Sequence, residues 1–224
     1  AALTSARDTA APAIQRVVLE SLVQCAERLL AGGDAKGASA ICRGLFTPKF
    51  PEPIRIAAWR GLVMADTRQR TELVTTALCG KDQPLQLAAL KVLRELNDQR
   101  VVKACLRQWS SLPAECQLAV LDARVKAGAG ALPAVRAATK SPHLVVRVAA
   151  WKAFGDLGDA SAILALAKAA ARGDTAERDT ARETLERLNG PGVREALLQD
   201  LAKAEAPEKV ELLRALGDRG DTAA

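Results

Sequence analysis

Apolar residues recur at helical spacing in one short segment that appears repeatedly along the chain. In residues 54–62 they stand three or four positions apart, a spacing that places them on one face of a helix. The pattern returns at 85–93 and 146–154, and weaker copies lie between and after these segments. This regular recurrence predicts an internal repeat. Each copy holds one polar residue at a matching position, in steps of 31, 31, 30, 31 and 31: Arg55, Gln86, Gln117, Arg147, Arg178 and Lys209.

A second apolar stretch follows each copy after a short break, so each repeat is predicted to contain two helices, A and B. Because one helix pair cannot bury its own apolar face, the pairs must stack, and the sequence predicts an all-α solenoid. The break contains an aspartate suited to cap helix B: Asp34, Asp66, Asp98, Asp159 and Asp221. The B helices are predicted at residues 73–78, 101–109, 132–138, 163–171 and 193–202.

The sequence from Val146 to Asp159 resembles the short, bilin-lyase-type class of HEAT-like repeats. The resemblance covers about residues 51–221 and implies a right-handed α-solenoid of antiparallel helix pairs. Looser packing is expected in the copies at 115–129 and 176–190, because Val120 and Arg182 depart from the usual residue types.

The first 50 residues fit the repeat poorly and are predicted to form atypical capping helices, at about 12–31 and 35–46. Residues 51–224 are predicted to hold the repeats of one continuous solenoid. The last repeat is incomplete because its B helix is missing, so we expect the natural protein to continue past residue 224.

The composition argues against catalysis. Aromatic residues make up 3% of the chain, there is no Tyr, and His143 is the single histidine. Metal sites and activated nucleophiles need several converging ligands or a nearby base. The HEAT-like hydroxylase that this repeat type resembles binds two irons through His-Glu pairs, whereas Leu144 follows His143 here. We therefore expect no enzymatic activity, no cofactor and no metal site.

Cysteine usage favours a reducing compartment such as the cytoplasm. The chain has five cysteines and no CxxC pair, and each cysteine stands among apolar neighbours, as a small buried hydrophobe does. No segment approaches the run of about 20 apolar residues that a membrane helix requires. We expect no membrane insertion.

The placement of positive charge is the strongest functional signal. The net charge is +6, and basic residues recur on the B helices four positions apart, at matching positions of successive repeats. This spacing predicts a basic column on one face, which the solenoid would make concave. Two interpretations stay open: a solvated face that keeps the protein soluble, or an anion-binding groove. The column comprises Lys103, Arg107, Arg136, Lys140, Lys168, Arg172 and Lys203.

The groove interpretation predicts a non-catalytic scaffold, expected to be monomeric, that binds an acidic segment of another protein or of another domain of the same polypeptide. The alternative is nucleic-acid binding through the same face, which resembles the use that HEAT-like DNA glycosylases make of it. Trp59 and Trp151 share one register and are predicted core residues. Trp109, close to Arg107, is the remaining aromatic candidate for stacking on a base.

Overall fold

The computed structural model describes residues 7–8, 11–96, 98–126, 128 and 130–219, and these residues form an all-α fold without strands. Two short 3-10 helices, Trp109–Ser111 and Ala160–Ala162, accompany the α-helices. The thirteen α-helices of the described ranges are α1 Pro12–Ala31, α2 Ala35–Leu45, α3 Glu52–Ala65, α4 Arg70–Cys79, α5 Gln83–Leu96, α6 Gln99–Arg107, α7 Ala114–Lys126, α8 Leu132–Ala138, α9 Leu144–Leu157, α10 Ile163–Arg172, α11 Thr175–Arg187, α12 Val193–Lys203 and α13 Ala206–Asp218.

The helices form two compact units, Ala1–Pro113 and Ala114–Ala224. In the first unit α1 packs on α2 and α3, α3 packs on α4 and α5, and α4 packs on α5 and α6. In the second unit α9 packs on α7, α8 and α11, and α10 packs on α11, α12 and α13. Packing of each helix on the next one to three along the chain is compatible with a helical repeat.

The sequence predicts these helices closely. Helix α1 has the predicted bounds, and the B helices α4, α6, α8, α10 and α12 lie where the second apolar stretches predict them. Helix α6 ends at Arg107, two residues earlier than predicted, because the 3-10 turn begins at Trp109.

The predicted capping role is confirmed at two aspartates, whereas Asp66 and Asp159 lie in the breaks and the N-cap residues of α4 and α10 are Gln69 and Ala162. Asp34 and Asp98 are the N-cap residues of α2 and α6 and accept hydrogen bonds from the backbone N–H groups of Gly37 at 2.8 Å and Arg100 at 2.9 Å. Asp159 caps the 3-10 turn that leads into α10. Asp66 accepts from the N–H of Gln69 at 3.1 Å in the turn before α4, whereas Asp221 lies outside the described residues.

The same position of every A helix is fully buried, and it is usually occupied by a small residue. The residue three positions after each polar repeat residue has no exposed surface, and four of the six are alanines, which allow close helix contact. Val120 belongs to this column, so its departure from the pattern does not open the core of the second unit. The column consists of Ala58, Ala89, Val120, Ala150, Ala181 and Leu212, each 0% exposed.

The next position carries the large core residues. Trp59 is 1% exposed and Trp151 is 7% exposed, which confirms both as core residues. Trp109 is half-buried. Arg182 occupies the same register, and its guanidinium pairs at 2.7 Å with Glu211 of α13 instead of packing in the core. No helix of the described residues is long and apolar enough to cross a membrane.

Candidate functional site

The predicted basic residues all lie at exposed positions, two of them in the first unit and five in the second. Lys103 and Arg107 stand on α6, where Arg107 is the last residue of the helix. In the second unit Arg172 and Lys203 also end their helices, α10 and α12. Cations at these positions meet the negative end of the helix dipole, which explains part of the pattern without a ligand.

Arg136 contacts two residues of its own unit. It lies on α8, and its Nη2 donates a hydrogen bond to the hydroxyl of Ser161 at 2.7 Å and lies 3.8 Å from the carboxylate of Asp159. The first unit has the same pairing at the same separation of 23 residues, between Arg43 and Asp66 at 2.8 Å. These arginines join the end of one B helix to the break of the next repeat.

Arg172 is also held inside its unit. Its guanidinium pairs with Glu205 and lies 3.1 Å from the carboxylate of Glu208, a residue that is only 1% exposed. The hydrogen bond to Glu205 is the largest cause that raises the pKa of Arg172, followed by the charges of Glu208 and Glu205. The sequence analysis missed this role, because the two glutamates lie at the start of α13, three helices later.

Three lysines of the second unit remain without such contacts. Lys140 lies in the turn after α8, Lys168 within α10 and Lys203 at the end of α12, and all three are exposed. Within the described ranges, no carboxylate lies within 4 Å of their ammonium groups. Lys103 and Arg107 of the first unit are unpaired in the same sense.

Other arginines, which are not part of the predicted column, form carboxylate pairs that link successive repeats in both units. The distances are 3.2 Å for Arg55–Asp82, 3.0 Å for Arg60–Glu95, 3.5 Å for Arg70–Asp98, 2.9 Å for Arg147–Asp174 and 2.7 Å for Arg182–Glu211. Of the five predicted basic residues in the second unit, the three without a carboxylate partner among the described residues are therefore all lysines.

The thiols and the histidine form no reactive cluster in the residues described. Cys42, Cys105 and Cys116 are buried, and burial, with a smaller contribution from Glu27, raises the pKa of Cys42 to about 11. His143 is half-buried at the residue before α9. No group of three or more His, Cys, Asp or Glu side chains in the described part of the chain is placed to hold a metal ion.

Comparison with known proteins adds no functional assignment. No family model matches this chain, and no curated protein matches its sequence.

Proposed function

We propose that this protein is a non-catalytic scaffold that binds an acidic segment of a partner through Lys140, Lys168 and Lys203. The observation that carries the proposal is a contrast within one set of residues. Arg136 and Arg172 of the predicted basic column pair with carboxylates of their own unit, whereas these three lysines are exposed and have no such partner among the described residues.

Packing and register support a shared surface for the lysines. Helix α10, which carries Lys168, packs on α12, which carries Lys203, and Arg136 connects α8 to the turn before α10. Lys140 precedes Lys203 by two repeats of 31–32 residues. A surface of one sign attracts an oppositely charged segment and speeds its association, most strongly at low ionic strength.

An acidic protein segment fits this surface better than a nucleic acid does. The large hydrophobic residues exposed in the described ranges are all aliphatic, so they offer no ring on which a base stacks. Leu198, on the same helix as Lys203, is 42% exposed and is an apolar side chain available to a partner. A glutamate-rich helix with one apolar side chain has the matching chemistry.

We propose further that the helix pairs form a right-handed solenoid of HEAT-like repeats with a period of about 31 residues. A compact domain of this length has a radius of gyration of about 17 Å. Small-angle scattering is expected to give a clearly larger value, and a value near 17 Å would exclude the solenoid.

The functional proposal is tested by titrating a fluorescent peptide of alternating Glu and Leu residues and, separately, a duplex DNA of equal charge. Each titration is run at low and at physiological salt. We expect the peptide to bind under both conditions and the DNA to lose its binding as salt rises, because non-specific DNA affinity depends steeply on salt. Retained DNA binding with no peptide binding at physiological salt would favour the nucleic-acid alternative.

A further inference from the structure

The first unit contains a cavity of about 410 Å³ bordered by α3, α4 and α5. Its size is within the range of small-molecule sites. Phe46, Leu73 and Ala77 provide apolar walls, and Lys81 and Asp82 supply charged groups from the turn before α5. An apolar cavity with a few polar groups is the usual form of a ligand site.

The second unit contains an equivalent set of residues, in which a glutamate carboxylate accepts hydrogen bonds from a tryptophan and an arginine. The indole Nε1–H of Trp151 donates to Oε1 of Glu177 at 3.1 Å. Arg147 donates to the same carboxylate from Nε at 3.0 Å and from Nη2 at 3.1 Å, and its Nη2 also donates to Asp174 at 2.9 Å. One indole and one guanidinium thus bind the same carboxylate, which is 7% exposed at residue level.

The first unit repeats this set with one substitution. Trp59 follows Arg55 by four positions, as Trp151 follows Arg147, and Asp82 follows Arg55 by 27 positions, as Asp174 follows Arg147. The position that corresponds to Glu177 is Leu85, which borders the cavity.

In the first unit the corresponding donors, Trp59 and Arg55, therefore have no glutamate carboxylate at this position to bind. Trp59 borders the cavity and is 1% exposed, and its Nε1–H has no acceptor among the described residues. Arg55 does not itself border the cavity, but it binds Asp82, which does. Its single described side-chain hydrogen bond runs from Nη1 to Asp82 at 3.2 Å, so its Nε and Nη2 donors are available. Neither residue contributes a buried polar atom without a partner among the described residues, so both donors are open to water, which a ligand carboxylate would displace.

We propose that this cavity binds a small carboxylic acid with an apolar chain. The ligand carboxylate takes the place that Glu177 holds in the second unit and accepts hydrogen bonds from Trp59 and Arg55. The chain of the ligand lies against Phe46, Leu73 and Ala77. Asp82 does not exclude the anion, because Arg147 binds two carboxylates at once in the equivalent arrangement.

Two exposed side chains of opposite charge, Lys81 and Glu72, border the cavity, and their effects on a bound anion partly cancel. Lys81 is exposed, borders the cavity and has no carboxylate partner among the described residues, so it adds attraction for an anion. Glu72 also borders the cavity and opposes the anion, but its position is exposed, where water and salt screen its charge.

Hexanoate is the first probe, and hexanol and hexylamine are the matched ligands of equal chain length. The indole N–H signals of the three tryptophans are followed by ¹H–¹⁵N NMR, with the Trp59 signal assigned through Trp59→Phe. We expect hexanoate to shift the Trp59 signal in a saturable way and to leave Trp109 and Trp151 unchanged. No shift with hexanoate, or equal shifts with hexanol, would overturn the proposal, and this comparison uses the unaltered chain.

The Leu85→Glu variant places a glutamate of the protein itself where the ligand carboxylate is proposed to bind. The side chain is expected to occupy the ligand position, as Glu177 does, and to weaken hexanoate binding by about tenfold or more. Leu87→Glu is the matched control, because Leu87 lies on the same helix, is 55% exposed and does not border the cavity. Hexanoate binding by a folded Leu85→Glu variant at the unaltered affinity would contradict the proposal.

Discussion

The guanidinium of Arg147 and the carboxylate of Glu177 share two hydrogen bonds, at 3.0 and 3.1 Å, across 30 residues of sequence. The same guanidinium donates to the backbone oxygen of Ser141 at 3.1 Å and to Asp174 at 2.9 Å. Arg147 on α9 therefore ties the segment after α8 to the start of α11. This contact joins one repeat of the second unit to the next.

Replacing Arg147 with Gln should lower the free energy of unfolding by about 2–3 kcal/mol. The change leaves the largely buried carboxylate of Glu177 without its charged donor, and removing one member of a buried pair is strongly destabilising. Arg178→Gln is the matched control, because Arg178 has the same register in the following repeat. Its one described side-chain hydrogen bond is to the Thr175 hydroxyl, at 3.5 Å, and its charge is only the last of the causes that lower the pKa of Glu211. Urea denaturation should show a loss below about 1 kcal/mol for the control, and equal losses would contradict the assignment.

Acid should destabilise the protein through Glu177 and Glu211. Burial raises the pKa of Glu177, but hydrogen bonds from Arg147 and Trp151 outweigh it, so the pKa lies below its ordinary value. The hydrogen bond from Arg182 lowers the pKa of Glu211 more than burial raises it. Because both pKa values are lower in the folded state, their stabilisation is complete above the unfolded-state pKa of about 4.3 and declines as the pH falls through the folded-state pKa values.

The pH dependence is measured by urea denaturation between pH 7 and pH 3. Glu177→Gln and Glu211→Gln should each be less stable than the unaltered protein at pH 7 and should show a shallower loss of stability toward pH 3. A variant curve parallel to that of the unaltered protein would show that the replaced glutamate does not contribute to the acid sensitivity.

The three tryptophans should differ in their contribution to stability. Trp59→Ala and Trp151→Ala are each expected to cost about 3–5 kcal/mol, because each change empties a large aromatic from a core. Trp109 is half-buried, so Trp109→Ala should cost less. Chemical denaturation that ranked Trp109→Ala as the most damaging of the three would be inconsistent with the observed core.

Gly158→Ala should destabilise the second unit by about 1–3 kcal/mol. Gly158 ends α9 with a φ of 62°, and a Cβ atom at this position would lie 2.8 Å from the backbone oxygen of Asn189. Gly217→Ala in α13 is the opposite control, because a Cβ atom there meets nothing within 4 Å. That change should stabilise by about 0.5–1 kcal/mol through helix propensity, and thermal unfolding should give the two variants shifts of opposite sign.

Periodicity predicted the helices, the core positions of Trp59 and Trp151, and the caps at Asp34 and Asp98, because each of these depends on residues near in sequence. It did not predict that Arg172 pairs with Glu208 or Arg147 with Glu177. Those pairs depend on how one helix is rotated against another, and Glu177 reads in sequence as an ordinary surface acid. The predicted basic column therefore included two arginines that hold the fold together, and the cavity beside Trp59 had no sequence signal at all.

The central claim is that the exposed lysines of the second unit bind an acidic segment while the paired arginines stabilise the fold. Its most direct test is the affinity for the Glu-Leu peptide of a triple variant, Lys140→Glu, Lys168→Glu and Lys203→Glu, at one fixed ionic strength. Arg172 is left unchanged because it pairs with the buried Glu208.

The matched control reverses Lys91, Lys152 and Lys209, three exposed lysines on A helices, and changes the net charge equally. We predict that the first variant loses about tenfold or more in affinity with little change in melting, since each exposed charge contributes at most about 1 kcal/mol to stability, and that the control retains binding. Equal losses from both variants would contradict the claim, because net charge alone would then account for binding.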